Sequence, residues 1–224
     1  DMYLVSRSTQ YKYSFESMNR IKEMKKFCSS TPGLHYLDGN TVELGGVVFG
    51  GVGMGWNDSY FHRVNGYKPS RKEITDRYKR VMNDSRFILS KKYAPVSPSD
   101  DLYDFPGITP FDPSQYFHQE LKKLNSIKNV DVMITHYGPV IPPTLREEYA
   151  RSSDTTFFYF GGEDDVKRIS PAIWVFGHTH DMYDFMYNET RMLCNPLGYP
   201  GEHQSDSVMY FDISNGKTEE KTYP

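Results

Sequence analysis

The sequence predicts an α/β fold with strands and helices alternating along one chain. Two observations carry this. Val130-Asp131-Val132-Met133-Ile134-Thr135 and Pro171-Ala172-Ile173-Trp174-Val175-Phe176 are short apolar runs of strand length, each followed at once by histidine or by glycine and histidine. Between and before them lie segments whose apolar residues recur every three or four positions, the stripe of a helix that packs on a sheet.

In chain order, Met18, Ile21, Met24 and Phe27 place a helix over residues 16–28 with a core-facing stripe. Thr41 to Trp56 reads as a hairpin: Val42 and Leu44, a turn at Gly45-Gly46, then Val47 to Phe49. The glycines that follow have the pattern G-x-G-x-G with no helix start behind them, so they favour close backbone packing over a phosphate cradle. Ser70-Arg71-Lys72-Glu73 is a capping box for a helix to Met82, with Ile74, Tyr78 and Val81 inward. Residues 92–113 carry prolines among Asp, Ser and Tyr and read as an irregular insertion, expected to act as a mobile cap with Tyr93, Tyr103 and Phe105 toward a substrate. Asp112-Pro113 opens a further helix past Phe117, Leu121 and Leu124. Thr144 to Glu147 forms a second capping box. Met182 to Tyr187 and Arg191 to Cys194 flank Asn188-Glu189-Thr190 as a hairpin, and Ser207 to Ile213 alternates as a last strand.

Length and composition narrow the classes. The 224 residues suit one domain, 1–224, with a cap-like insertion around 55–115 and no linker-like stretch. A net charge of −3 with interspersed signs gives no basic stripe, which argues against duplex nucleic acid as a partner. No apolar run approaches the roughly 18 residues of a membrane span, so no membrane partner is expected. Cys28 and Cys194 are too few and too far apart for a disulfide scaffold, which predicts free thiols and a cytoplasmic setting. The hydrophobic fraction reaches 38% only by counting 18 tyrosines, so some core strands are expected to lie outside this sequence.

The chemistry concentrates at the strand ends. In α/β sheets ligands bind beyond the carboxyl ends of strands. His136 lies at one such end; His178 and His180 lie at another, at the i, i+2 spacing that shares a face in extended chain. Three imidazoles meeting there would be metal ligands. His35, His62, His118 and His203 have no partner at ligand spacing and read as surface or packing residues. Asp181 reads as a turn or cap residue, with support of the neighbouring imidazole as the other role. The aromatic run Thr156 to Phe160 reads as packing.

Thr135-His136-Tyr137-Gly138-Pro139, Gly177-His178-Thr179-His180 and Asn195-Pro196-Leu197-Gly198-Tyr199 together resemble the later motifs of the calcineurin-like metallophosphoesterases. The resemblance implies an αββα fold, mixed β-sheets packed as a sandwich flanked by helices. It implies a metal-dependent hydrolase of phosphomonoesters or phosphodiesters, with two divalent ions roughly 3.5–4 Å apart holding a hydroxide for in-line attack. His136 and His178 would ligate one ion and His180 the other. Manganese is expected first, with iron or zinc as alternatives. Tyr137, Asn195 and Tyr199 become candidate substrate contacts, although Asn-Pro and Gly-Tyr-Pro are also ordinary turn chemistry and Tyr137 suits packing equally. The chain departs from the family pattern early: its Asp-x-His, Gly-Asp and Gly-Asn-His motifs do not occur here. The bridging aspartate and the general-acid histidine are expected upstream of Asp1, which would be the last letter of Gly-Asn-His-Asp. The alternative is a non-catalytic binding module, or one part of a split enzyme completed by another chain.

Overall fold

The computed structural model describes residues 2–91, 113–199, 210–214 and 217–221, and the side chains of 113–115, 210–214 and 217–221 are outside the description. The insertion expected at 92–113 therefore falls almost wholly outside the described residues, as do His203 and Ser207. The chain forms two compact units, one of Asp1–Tyr36 with Pro69–Tyr116, the other of Leu37–Lys68 with Phe117–Pro224.

The first unit is helical: α1 (Arg7–Lys12), α2 (Ser17–Ser30), α4 (Arg71–Val81) and α5 (Asp84–Phe87), with α3 (Ser59–Asn65) belonging to the second unit. Helix α4 begins where its cap predicts, the Ser70 hydroxyl accepting from the Glu73 amide at 3.2 Å. The inward stripes are shallower than their periodicity suggests. In α2, Met18, Ile21 and Met24 are half-buried and Phe27 is 60% exposed; in α4 only Tyr78 is buried, while Val81 is exposed. The unit's buried residues combine the apolar Leu4, Met82 and Leu89 with polar groups, among them the Asp84 carboxylate, which accepts from the hydroxyls of Tyr3 and Tyr78.

The second unit is a mixed α/β structure built on a six-stranded sheet with helices beside it. Its strands are β1 (Asn40–Leu44), β2 (Val47–Val52), β3 (Val132–Thr135), β4 (Ile173–Phe176), β5 (Tyr183–Tyr187) and β6 (Thr190–Cys194), in the order β1-β2-β3-β4-β6-β5. The inner four run parallel and the two edges antiparallel. Helices α3 (Ser59–Asn65), α6 (Pro113–Ser126), α7 (Glu147–Ala150) and α8 (Glu163–Ile169) and a 3-10 turn over Ser153–Phe157 connect them. A separate antiparallel pair joins β7 (Tyr210–Ser214) to β8 (Lys217–Lys221).

The hairpin of β1 and β2 closes through Gly45 and Gly46 at φ 60° and 81°, the doubly left-handed turn whose twist matches the strands. Gly50 and Gly51 lie inside β2, where a Cβ would meet Val130 at 2.9 Å and Leu37 at 2.7 Å respectively. These glycines serve close packing, as the sequence suggests. The parallel strands are buried on both faces: Val132, Ile173 and Leu193 form one cluster, and Met133, Trp174 and Met192 lie in register on the other face, all without exposure.

One expected cap is absent. Helix α7 starts at Glu147 after Arg146, with no side-chain cap, because Thr144 lies inside a turn closed by the Leu145 amide on the Pro142 carbonyl. Among the described residues no helix is long and apolar enough to cross a membrane, and Cys28 and Cys194 are both unpaired thiols.

Candidate metal centre

The carboxyl ends of β2, β3, β4 and β6 point to one edge of the sheet, the edge where such sheets bind ligands. Backbone bonds carry the ladder past the strand ends: the His136 amide donates to Gly53 at 3.1 Å, and the Gly177 amide to His136 at 3.0 Å. The last bond brings the loop after β4 directly beside the residue after β3.

The histidines from the two strand ends meet. His178 Nδ1 lies 3.0 Å from His136 Nε2. His178 Nε2 lies 3.1 Å from the carbonyl oxygen of Phe157. A carbonyl only accepts, so Nε2 carries the proton of the neutral ring, and Nδ1 turns its lone pair toward His136. His136 Nε2–H then donates across the 3.0 Å gap. Burial holds the His178 imidazole well below its ordinary range; the neighbouring His136 and His180 rings push the same way, and the Phe157 carbonyl opposes them. The ring packs against Tyr137, at 4.2 Å between centroids, and Phe158, at 5.2 Å.

The loop from Gly177 to Met182 is not extended chain, so the shared-face argument from i, i+2 spacing does not describe it. His178 and His180 sit at φ 71° and 58°. Histidine tolerates the left-handed region better than most residues, but each such residue still costs about 1–3 kcal/mol. Thr179 and its neighbours hold the turn. The Thr179 amide donates to the Gly177 carbonyl at 2.9 Å, and its hydroxyl donates to the Asp181 carbonyl at 3.3 Å. The same hydroxyl lies 3.4 Å from the Cys194 sulfur, and the Tyr183 hydroxyl donates to the Asp181 carboxylate at 3.3 Å. Burial pushes the Tyr183 phenol up to about 12 and the Cys194 thiol up to about 11, so both stay protonated.

Of the other candidate residues, Tyr137 is buried with its ring against His178. Tyr199, 44% exposed, meets His180 edge-on at 4.6 Å, and Asn195 is exposed at the end of β6. His35, His62 and His118 are exposed and lie outside this cluster. The run 156–160 packs as expected, Phe157 being fully buried edge-on to Trp56 at 4.7 Å. Two contributors have no signature in the sequence: the Phe157 carbonyl, since every residue has one, and the Phe158 ring, which looks like its aromatic neighbours.

The donor chemistry fits the imidazole part of a divalent-ion site. The outward partner on His178 Nε2 is the carbonyl contact that fixes the tautomer of metal-binding histidines. Among the described residues, no group of three or more His, Cys, Asp or Glu side chains is placed to hold a metal ion.

No family model matches the chain, and no curated protein matches it. Among solved structures, phosphopantetheinyl hydrolase from Mycobacterium tuberculosis is 17% identical, with a TM-score of 0.49 over 82% of this chain and 62% of its own. A second solved protein is 12% identical, with a TM-score of 0.48 over 92% of this chain and 61% of its own. The chain thus spans about three fifths of the length of the structures it matches. At these scores neither likeness bears on what this chain does.

Proposed function

We propose that this chain carries the imidazole side of a divalent-metal site in a hydrolase of phosphomonoesters or phosphodiesters. The single observation behind this reading is the 3.0 Å approach of His178 Nδ1 to His136 Nε2, made by residues from two parallel strand ends. His136 and His178 would hold one ion and His180 a second. Manganese is the ion proposed first, with iron or zinc as alternatives, since imidazole suits all three. When bound, such ions supply Lewis acidity toward a phosphoryl oxygen.

The chain's own residues do the holding. The Phe157 carbonyl and the neighbouring rings of Tyr137 and Phe158 orient the His178 imidazole, and its burial keeps it neutral, the form that ligates. Tyr199, partly exposed beside His180, would contact an ester substituent. The oxygen ligands and the general acid would come from outside the described residues.

The test is metal analysis and turnover of the full-length protein. Two equivalents of manganese per chain, with chelator-sensitive hydrolysis of bis(p-nitrophenyl) phosphate or p-nitrophenyl phosphate, are expected. Less than one equivalent and no metal-dependent turnover would overturn the reading. A second reading, a non-catalytic module or one part of a split enzyme, is favoured by the want of a group of three ligands among the described residues. One bound ion without turnover, or co-purification of a second chain, would support it.

A further inference from the structure

Behind the two histidines of the 177–182 loop, away from the His136 contact, lies a polar cluster that the proposed chemistry does not use. It comprises Thr179, Asp181, Tyr183 and the Cys194 thiol. Two left-handed residues in one short loop persist only where surrounding contacts over-determine them. Besides the contacts of His178 with His136 and Phe157 and of His180 with Tyr199, the side chains of Thr179 and Asp181 hold this loop, and both reach the strands beneath: Thr179 to Cys194 at the end of β6, Asp181 to Tyr183 at the start of β5. Those two positions are register partners, so the brace closes on a rigid rung of the sheet.

We infer that Asp181 and Tyr183, with Thr179, are positioning residues: their hydrogen bonds lock the 177–182 loop so that the His178 ring meets His136. The inference rests on the metal-site reading for its purpose but not for its geometry. Tyr183 is suited to the task because its ring stacks on Phe176 at 6.5 Å and 13°, leaving only the hydroxyl to adjust. Asp181 needs only to accept, so an amide oxygen could replace its carboxylate. A neighbouring phenol, Tyr159, is buried beside the same group with its ring against Gly138.

The experiment compares Tyr183→Phe, Asp181→Ala and the conservative Asp181→Asn with the wild-type chain. In metal-free protein, long-range proton–nitrogen NMR reads the proton shared by the His136 and His178 rings. Its solvent exchange is expected to rise about tenfold in Tyr183→Phe and Asp181→Ala and to stay at the wild-type rate in Asp181→Asn. Titration with manganese chloride is expected to show about tenfold weaker binding in the same two variants. Wild-type exchange in Tyr183→Phe would overturn the inference, as would equal loss in Asp181→Asn. If the wild type binds no manganese, the metal-site reading fails alone, and the exchange data still decide the positioning role. Should Asp181→Ala not fold, Tyr183→Phe carries the test.

Discussion

The indole nitrogen of Trp174 donates to Thr135 Oγ1 at 2.9 Å, and that hydroxyl donates in turn to the Tyr137 carbonyl at 2.7 Å. All of this is buried, so one hydroxyl ties β4 to β3 and fixes the backbone around His136. Thr135→Val keeps the shape but leaves a buried N–H and a buried carbonyl without these partners, at a cost of about 1–3 kcal/mol. Urea unfolding should show the lower midpoint; an unchanged midpoint would mean that water replaces the hydroxyl.

Metal binding separates the three histidine roles. His178→Ala should weaken manganese affinity by about 100-fold or more, because it removes a preoriented ligand from a site of few. His180→Ala should lower the stoichiometry by one ion instead. His118→Ala, on an exposed position of α6, should change neither. Isothermal titration of each variant distinguishes these outcomes, and equal effects for His178 and His118 would contradict the assignment.

Acid should destabilise the second unit through His178. Its imidazole is depressed below the ordinary 6.5, mainly by burial, so near and below that value the unfolded chain takes up a proton that the folded ring refuses. Stability is therefore intact above about pH 6.5 and falls as pH drops toward the folded value. His178→Asn, which does not titrate, should flatten this part of the curve. Urea midpoints at pH 5 to 8 in chelator would show it, and parallel curves would refute it.

Gly138 should not tolerate a side chain. A Cβ there would meet the Tyr159 ring at 2.6 Å and Phe176 at 3.2 Å. Since Tyr159 is 3% exposed, its ring has little room to retreat. Gly138→Ala is expected to cost about 1–3 kcal/mol, the usual range for overpacking, by thermal or chemical denaturation.

Much of the fold was legible because its signals are local. Gly45-Gly46 between alternating residues can close only a few turns, and Ser70 before Glu73 announces a helix start. Apolar runs ending in histidine marked β3, β4 and their common edge. What escaped was set by partners distant in sequence. Periodicity put Phe27 on an apolar stripe but could not supply a surface to cover it. Thr144 has the chemistry of a cap, yet a turn ending at Leu145 claims it first. At the site, pairing of His136 with His178 followed from strand ends converging, whereas the tautomer depends on one backbone carbonyl, at Phe157, that no residue type advertises.

The parallel seam between β2 and β3 also governs how the sheet can be made. The two hairpins join neighbours in sequence and can zip within microseconds, but the Val48 amide must find Asp131, 83 residues away, before the seam closes. On a ribosome, the first hairpin would wait with β2 unpaired along one side until β3 and β4 emerged. During that interval the open strand edge is the chain's point of exposure to misassociation, and the glycines of β2, which add little apolar surface, lessen its stickiness.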